Sequence, residues 1–260
     1  MTAPLKFSDT TFGYAERTVL RGIELSLAEG EFLGVIGPNG SGKTTLVRGA
    51  TGVLAPQRGS VSVHGRPVAE LSRAEVARAI AVVPQEGTPI FPFSVLQTVL
   101  MGRAPWMRPF AFEGAEDLAC ANAALERVGA SDLADRDLTE LSGGERQRVV
   151  VARALAQQSR ILLADEPTAH LDLKHAVRLF ALLKQLAKEE ALAVLIVTHD
   201  VNLAAMHCDR LALLGDGALL ADGPPEEVLT PTILEEAFGT KVRVEVSEGG
   251  RRFVIPERLD

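Results

Sequence analysis

Gly37-Pro38-Asn39-Gly40-Ser41-Gly42-Lys43-Thr44, lying between the apolar run Phe32–Ile36 and the segment Thr44–Gly52, decides the fold of this chain. The spacing fits G-x-x-x-x-G-K-[ST] between a strand and a helix, the pattern of a loop that wraps phosphate groups. Its glycines let the backbone curl until the N–H groups converge on phosphate oxygens. Lys43 brings a point charge to the β- and γ-phosphates, and Thr44 offers a hydroxyl to Mg²⁺. Thr45, next in the predicted helix, is counted with Gly37, Pro38, Asn39, Gly40, Ser41, Gly42, Lys43 and Thr44 among the expected nucleotide contacts.

Outward from this loop the pattern alternates between strands and helices. Residues 5–27 alternate apolar and polar, as Leu5, Phe7, Ile23, Leu25 and Leu27 show, which predicts half-exposed antiparallel strands. Gly59–His64 predicts another strand, turning at His64-Gly65, followed by a charged helix over Leu71–Ala79 and a strand over Ile80–Val83. From about Gln85 to Arg153 Ala-rich helical patterns dominate, notably Glu116–Val128. Alternation returns with strand Ile161–Ala164, helix Lys174–Glu189, strand Ala193–Val197, helix Val201–Met206 and strand Arg210–Leu214, and a hairpin is expected over Val242–Ile255. Such alternation implies an α/β fold with a covered parallel sheet whose ligands gather at the carboxyl ends of the strands. The expected division is 1–84 and 154–240 as the nucleotide-binding core, 85–153 as an inserted helical subdomain, and 241–260 as a terminal hairpin.

Three further patterns fall at those strand ends. Ile161-Leu162-Leu163-Ala164-Asp165-Glu166 is an apolar strand ending in two carboxylates. Asp165 is placed to hold Mg²⁺, and Glu166 to orient and deprotonate an attacking water. His199, after Ile196-Val197-Thr198, is expected at a γ-phosphate. The amide of Gln85, after Val82-Val83-Pro84, is expected to reach Mg²⁺ or the attacking water.

Leu141-Ser142-Gly143-Gly144-Glu145-Arg146-Gln147-Arg148 is a second phosphate-binding pattern. In isolation it also reads as a helix N-cap before a charged helix. A Ser-Gly-Gly turn opening a helix offers bare backbone N–H groups and a positive dipole end to phosphate oxygens. One protein needs two phosphate cradles only if both grip the same triphosphate. That requirement points to two copies closing on ATP.

Bulk properties narrow the class. The 260 residues carry a net charge of −7, with 47% hydrophobic and 23% charged residues, which fits a globular protein and weighs against nucleic acid as a partner. The longest uninterrupted apolar run, Ala191–Val197, is far short of the roughly 20 residues that cross a bilayer. Met1–Lys6 lacks a secretion signal, so a cytoplasmic location is expected. Cys120 and Cys208 form no disulfide framework or metal spacing, and Met206-His207-Cys208-Asp209 reads as the end of a helix.

With these motifs in this order, the sequence resembles an ATP-binding-cassette ATPase, the nucleotide-hydrolysing subunit of a transporter, over nearly its whole length. The resemblance implies a P-loop NTPase with a RecA-like parallel-sheet core, an N-terminal antiparallel β-subdomain and an inserted α-helical subdomain. It implies ATP and Mg²⁺ as ligands, with Thr44, Gln85 and Asp165 at the metal and Glu166, His199 and Gln85 at the chemistry. Ser142, Gly143 and Gly144 would close on ATP bound to the opposite copy of a homodimer. Tyr14 would stack on the adenine, with Phe12 the competing choice. Asp172 would be the acid of a loop crossing to the partner, where Ala169 stands in place of the serine frequent in such families.

Phe91, Phe93, Trp106, Phe110 and Phe112 cluster with prolines in the insertion, a poor recipe for a regular core helix and a candidate docking surface for another protein. The resemblance makes that partner a membrane-spanning permease subunit, contacted by Phe91, Phe93 and Trp106, with a substrate-binding protein indirectly involved. Met101-Gly102-Arg103-Ala104-Pro105-Trp106 and Leu171-Asp172-Leu173-Lys174-His175 are similar to the subgroup that serves importers of iron–siderophore complexes, haem or cobalamin. The expected place is the cytoplasmic face of the inner membrane, as a peripheral subunit. The competing readings are an exporter subunit, a soluble cassette ATPase acting on DNA or ribosomes, and a small-molecule kinase. The DNA reading wants a coiled-coil or zinc insertion and a basic surface, the ribosome reading usually two cassettes, and a kinase has no use for the Ser142 motif.

Overall fold

The computed structural model describes residues 2–15, 17–85, 92–108, 112–169 and 171–257. Strands β1 (Leu5–Tyr14) and β2 (Arg17–Leu27) form an antiparallel pair, followed by β3 (Phe32–Ile36) and helix α1 (Lys43–Ala50). Strands β4 (Arg58–Val63) and β5 (Arg66–Pro67), helix α2 (Arg73–Ala79) and β6 (Ile80–Val83) come next. A helical stretch holds α3 (Val95–Leu100), a 3-10 segment Met101–Trp106, α4 (Ala115–Arg127) and α5 (Gly143–Ala156). Then follow β7 (Ile161–Asp165), α6 (Leu173–Glu190), β8 (Ala193–Val197), α7 (Val201–His207), β9 (Arg210–Gly215) and β10 (Ala218–Gly223). Short helices α8 (Pro225–Val228) and α9 (Pro231–Phe238) lead to the hairpin β11 (Val242–Val246) and β12 (Arg252–Pro256).

The central sheet has six strands in the order β10-β9-β3-β8-β7-β6, all parallel except β10. Every residue of β3, β7 and β8 is buried, because helices cover one face and α1 with the antiparallel sheet covers the other, leaving no solvent side for a polar residue. The register pairs Val35 with Val197, Asp165 with Val197 and Val83 with Ala164. The carboxyl ends of β3, β6, β7 and β8 therefore share one edge, and the phosphate loop, Gln85, Glu166 and His199 emerge there.

A second, antiparallel sheet runs β2-β1-β4-β5. Its strand β1 changes register between Phe7 and Thr10, where Asp9 adopts a positive φ of 45°. The bulge switches which parity faces inward, so Phe7 and then Thr10 and Phe12 are all buried. Helix α1 packs on this sheet at Gly49, where a Cβ would lie 2.2 Å from the Phe12 ring. Helices α3, α4 and α5 share one apolar core, built by Val95, Val99, Ala121, Leu125, Val149 and Val151. The 3-10 segment is fastened to the end of α5: Arg103, 3% exposed, pairs with Asp117 at 2.9 Å and donates to the Ala156 carbonyl at 3.0 Å. Among the described residues no helix is long and apolar enough to cross a membrane.

Candidate functional site

The loop after β3 closes over its own backbone. Gly42 caps α1 with φ 103°, and a Cβ on Gly37 would lie 2.2 Å from the Leu214 carbonyl oxygen, so neither position accepts a side chain. Lys43 is buried, and its ammonium donates to the carbonyls of Gly37 and Pro38 at 2.9 Å each. Burial pushes its pKa down, while the Glu166 and Asp165 carboxylates oppose that shift. A cavity of about 260 Å³ lies over the loop, lined by Tyr14, Arg17, Val19, Asn39, Lys43 and Glu166, together with Gly40, Gly42, Thr44 and Thr45.

Asp165 ends β7 beside the start of α1. Burial raises its pKa, against a hydrogen bond from the Thr44 side chain that lowers it. Its Oδ1 and the Ser41 hydroxyl are buried without a hydrogen-bond partner. Oxygen donors gathered at a phosphate loop, one of them an orphaned carboxylate oxygen, form the set that a hard cation such as Mg²⁺ prefers. The residues fit that ion.

Glu166 follows in a left-handed conformation, φ 47°, with its N–H bonded to the Val197 carbonyl at 2.9 Å. This turn aims the carboxylate across two neighbouring strand ends. Gln85 Nε2 donates to Glu166 Oε2 at 2.6 Å, and His199 Nε2 lies 2.6 Å from Glu166 Oε1. Residues 81 and 33 positions away in sequence thus clasp both oxygens of one carboxylate.

The two aromatics considered for the adenine part ways. Phe12 is fully buried against Gly49 and Phe7, which removes it as a ligand contact. Tyr14 is 42% exposed at the cavity, its hydroxyl accepting from Arg48 at 3.0 Å. Arg48 and Arg17 are neighbours that sequence reading missed. Arg17 opens β2 across the turn from Tyr14, and that adjacency was the available signal.

Ser142, Gly143 and Gly144 open α5 and are not among the residues lining that cavity. Ser142 heads a full capping box: its hydroxyl accepts from the Glu145 N–H at 3.4 Å, and its own N–H donates to Glu145 Oε2 at 2.9 Å. Ser142 and Gly143 are exposed, and nothing would meet a Cβ on Gly143 within 4 Å. The cap and the presented turn coexist. Asp172 caps α6 by accepting from the His175 N–H at 2.8 Å.

In the aromatic cluster, Phe93 and Trp106 are 40% and 43% exposed, and Phe112 is 93% exposed. Trp106 is partly committed to the fold: its indole N–H donates to the Gln157 carbonyl at 2.7 Å, with the Arg78 and Arg103 guanidinium groups 5.1 and 5.7 Å from its ring. Phe91 and Phe110 lie outside the described residues. His207 and Cys208 end α7, His207 against Phe180 at 5.6 Å, and the described residues hold no metal-binding cluster of His, Cys, Asp and Glu.

Loop and sheet edge together define a P-loop nucleotide-binding protein. The family model for the ABC transporter matches residues 20–169, and the chain belongs to that family. It is 46% identical over 237 residues to the hemin import ATP-binding protein HmuV of Gloeobacter violaceus, covering 88% of this chain and 85% of that one. It is 44% identical over 226 residues to the cobalamin import ATP-binding protein BtuD of Halobacterium salinarum, covering 87% of this chain but only 56% of that protein, so the chain spans little more than half of that relative. Among solved structures, a chain assigned to a metal-chelate type ABC transporter in an inward-facing conformation superposes with a TM-score of 0.86 at 29% identity, covering 99% and 98% of the two chains. A dimeric bacterial ABC transporter cassette superposes with a TM-score of 0.74 at 31% identity, covering 85% and 98%.

Proposed function

We propose that this chain is the ATP-hydrolysing subunit of an importer for a metal chelate of the iron–siderophore, haem or cobalamin kind. It works as a homodimer, peripheral on the cytoplasmic face of the inner membrane, on permease subunits supplied with cargo by a substrate-binding protein. The observation that carries the reading is the Glu166 carboxylate, held on both oxygens beside the phosphate loop. A carboxylate so placed accepts the proton of a water attacking the γ-phosphorus. His199 and Gln85 orient it, and one of them must release an oxygen before it can take that proton.

Lys43 holds the β- and γ-phosphates, the Gly37–Thr44 amides wrap them, and Tyr14 stacks on the adenine. Thr44 and Asp165, with Gln85 once it swings from Glu166, would hold Mg²⁺, which when bound neutralises charge on the phosphates. The exposed turn of Ser142, Gly143 and Gly144 is left for the triphosphate of a second copy, an arrangement supported by the dimeric relative. Loss of the γ-phosphate on hydrolysis weakens that contact and reopens the pair. Import of a chelate is supported by the names of the hemin and cobalamin relatives.

Glu166→Gln keeps the shape of the site and removes the base. It is expected to bind ATP, turn over at a hundredth of the normal rate or less (on the order of the general-base contribution), and run as a dimer on gel filtration with ATP and Mg²⁺. A variant that stays monomeric under those conditions contradicts the shared site.

A further inference from the structure

Two elements that this reading directs at the second copy are the Ser142 turn, which opens α5, and the loop before α6, which ends at Asp172. The His175 side chain touches both. Asp172 Oδ1 accepts from the His175 backbone N–H at 2.8 Å and lies 2.7 Å from His175 Nδ1. Those two contacts, the backbone one first, hold the Asp172 carboxyl below the usual carboxylate range, so it is an anion near neutral pH. A carboxylate has no proton to give, and the hydrogen of the side-chain contact therefore sits on Nδ1.

The far side of the same ring lies against α5. A Cβ on Gly144 would come within 2.5 Å of His175 Cδ2 and 2.8 Å of Nε2, so the imidazole packs directly on the backbone of the Ser142–Gly144 turn and leaves room only for glycine. Behind the contact the helices are not tightly joined. A cavity of about 270 Å³ opens there, lined among others by Gln147, Leu171, Arg178 and Leu179. The Gln147 amide nitrogen is buried without a hydrogen-bond partner. The imidazole is thus a bridge across a loose joint.

We propose that His175 is a positioning residue that ties the Asp172 loop to the Ser142–Gly144 turn, so that both are presented to the second copy as one unit. The proposal rests on the reading of the chain as an ATP-closed homodimer. Closure requires the turn's N–H groups and the Asp172 loop to arrive together, and a misplacement of about 1 Å is enough to cost most of the benefit of such an arrangement. Without the bridge, the slack at the joint lets them arrive separately.

The test uses the full chain carrying Glu166→Gln, with ATP and Mg²⁺, and measures dimer dissociation by sedimentation. His175→Ala removes ring and hydrogen bond, His175→Leu fills the space without a donor, and His175→Asn sets an amide where Nδ1 stood. The expected result is a dimer dissociation constant raised about tenfold in the Ala and Leu variants and restored to within about threefold by Asn. ATP binding by the dilute single chain should stay unchanged in all three. The Asn variant, which keeps the contact at the start of α6, remains informative should the Ala variant fold poorly. Dimerisation indifferent to all three changes overturns the proposal alone, and so does rescue by Leu but not by Asn, which would reduce the ring to packing. A parent Glu166→Gln chain that never dimerises overturns the shared-site reading and the proposal with it.

Discussion

Phe12 and Tyr14 are two positions apart on one strand, yet one ring is core and the other faces the cavity. A further register shift between Phe12 and Gly13, beyond the one near Asp9, separates them, and sequence alternation carries no mark of it. Phe12→Ala is expected to cost about 3–5 kcal/mol of stability, measured by denaturant unfolding, because it empties a packed site against Gly49. Tyr14→Ala should leave stability within about 0.5 kcal/mol and weaken ATP binding by about 1–3 kcal/mol, read by titration. The reverse pattern would return the adenine contact to Phe12. Lys43, Asp165 and Glu166 were legible because motif and strand end announce them. The clasp on Glu166 was not, since Gln85 and His199 reach it only through the order of strands in the sheet.

Elements were legible where a local signal closes them. Strands β3, β7 and β8 follow from unbroken apolar runs and α5 from Ser142 as a cap, while α6, expected over Lys174–Glu189, begins one residue earlier because Asp172, read as a loop acid, is its N-cap. Strand β10 and the 3-10 segment Met101–Trp106 have no such signal. The first is held by pairing with β9, the second by Arg103 and Trp106 reaching the end of α5. The capping box of α2 gives a test in pH. The backbone N–H of Ser72, then its hydroxyl, and then Arg66 hold Glu75 down to about 2, from an ordinary 4.5. Its folded value lies below its unfolded one, so the stabilisation is complete above the ordinary value and is lost as pH falls towards 2. Ser72→Ala removes the hydroxyl but keeps the backbone contact, so it should lower the melting temperature at neutral pH, with the gap to the parent narrowing between about pH 5 and about pH 2 to the part set by the lost Glu75 N–H bond. A gap that stays constant with pH would show that the carboxylate plays no part in the cap.

At the scale of the whole molecule, the carboxyl edge of the parallel sheet carries the phosphate loop, and the Ser142–Gly143 turn that opens α5 is exposed. Phe93, on the helical stretch, is expected to serve the membrane partner: Phe93→Ala should leave nucleotide binding intact and reduce capture of permease subunits from solubilised membranes, and unchanged capture would assign the ring to packing. Trp106 is a poorer probe, because its indole also holds the end of α5. Quaternary arrangement was the least legible level, since a second copy leaves no trace in one chain beyond a phosphate cradle with nothing of its own to hold. The most direct measurement is ATP turnover per molecule across a wide dilution series with ATP and Mg²⁺ saturating. If catalysis needs two copies, specific turnover falls as the protein is diluted below its dimer dissociation constant and recovers on reconcentration; a value that stays flat to the lowest measurable concentration, with the chain shown to be monomeric there, contradicts it.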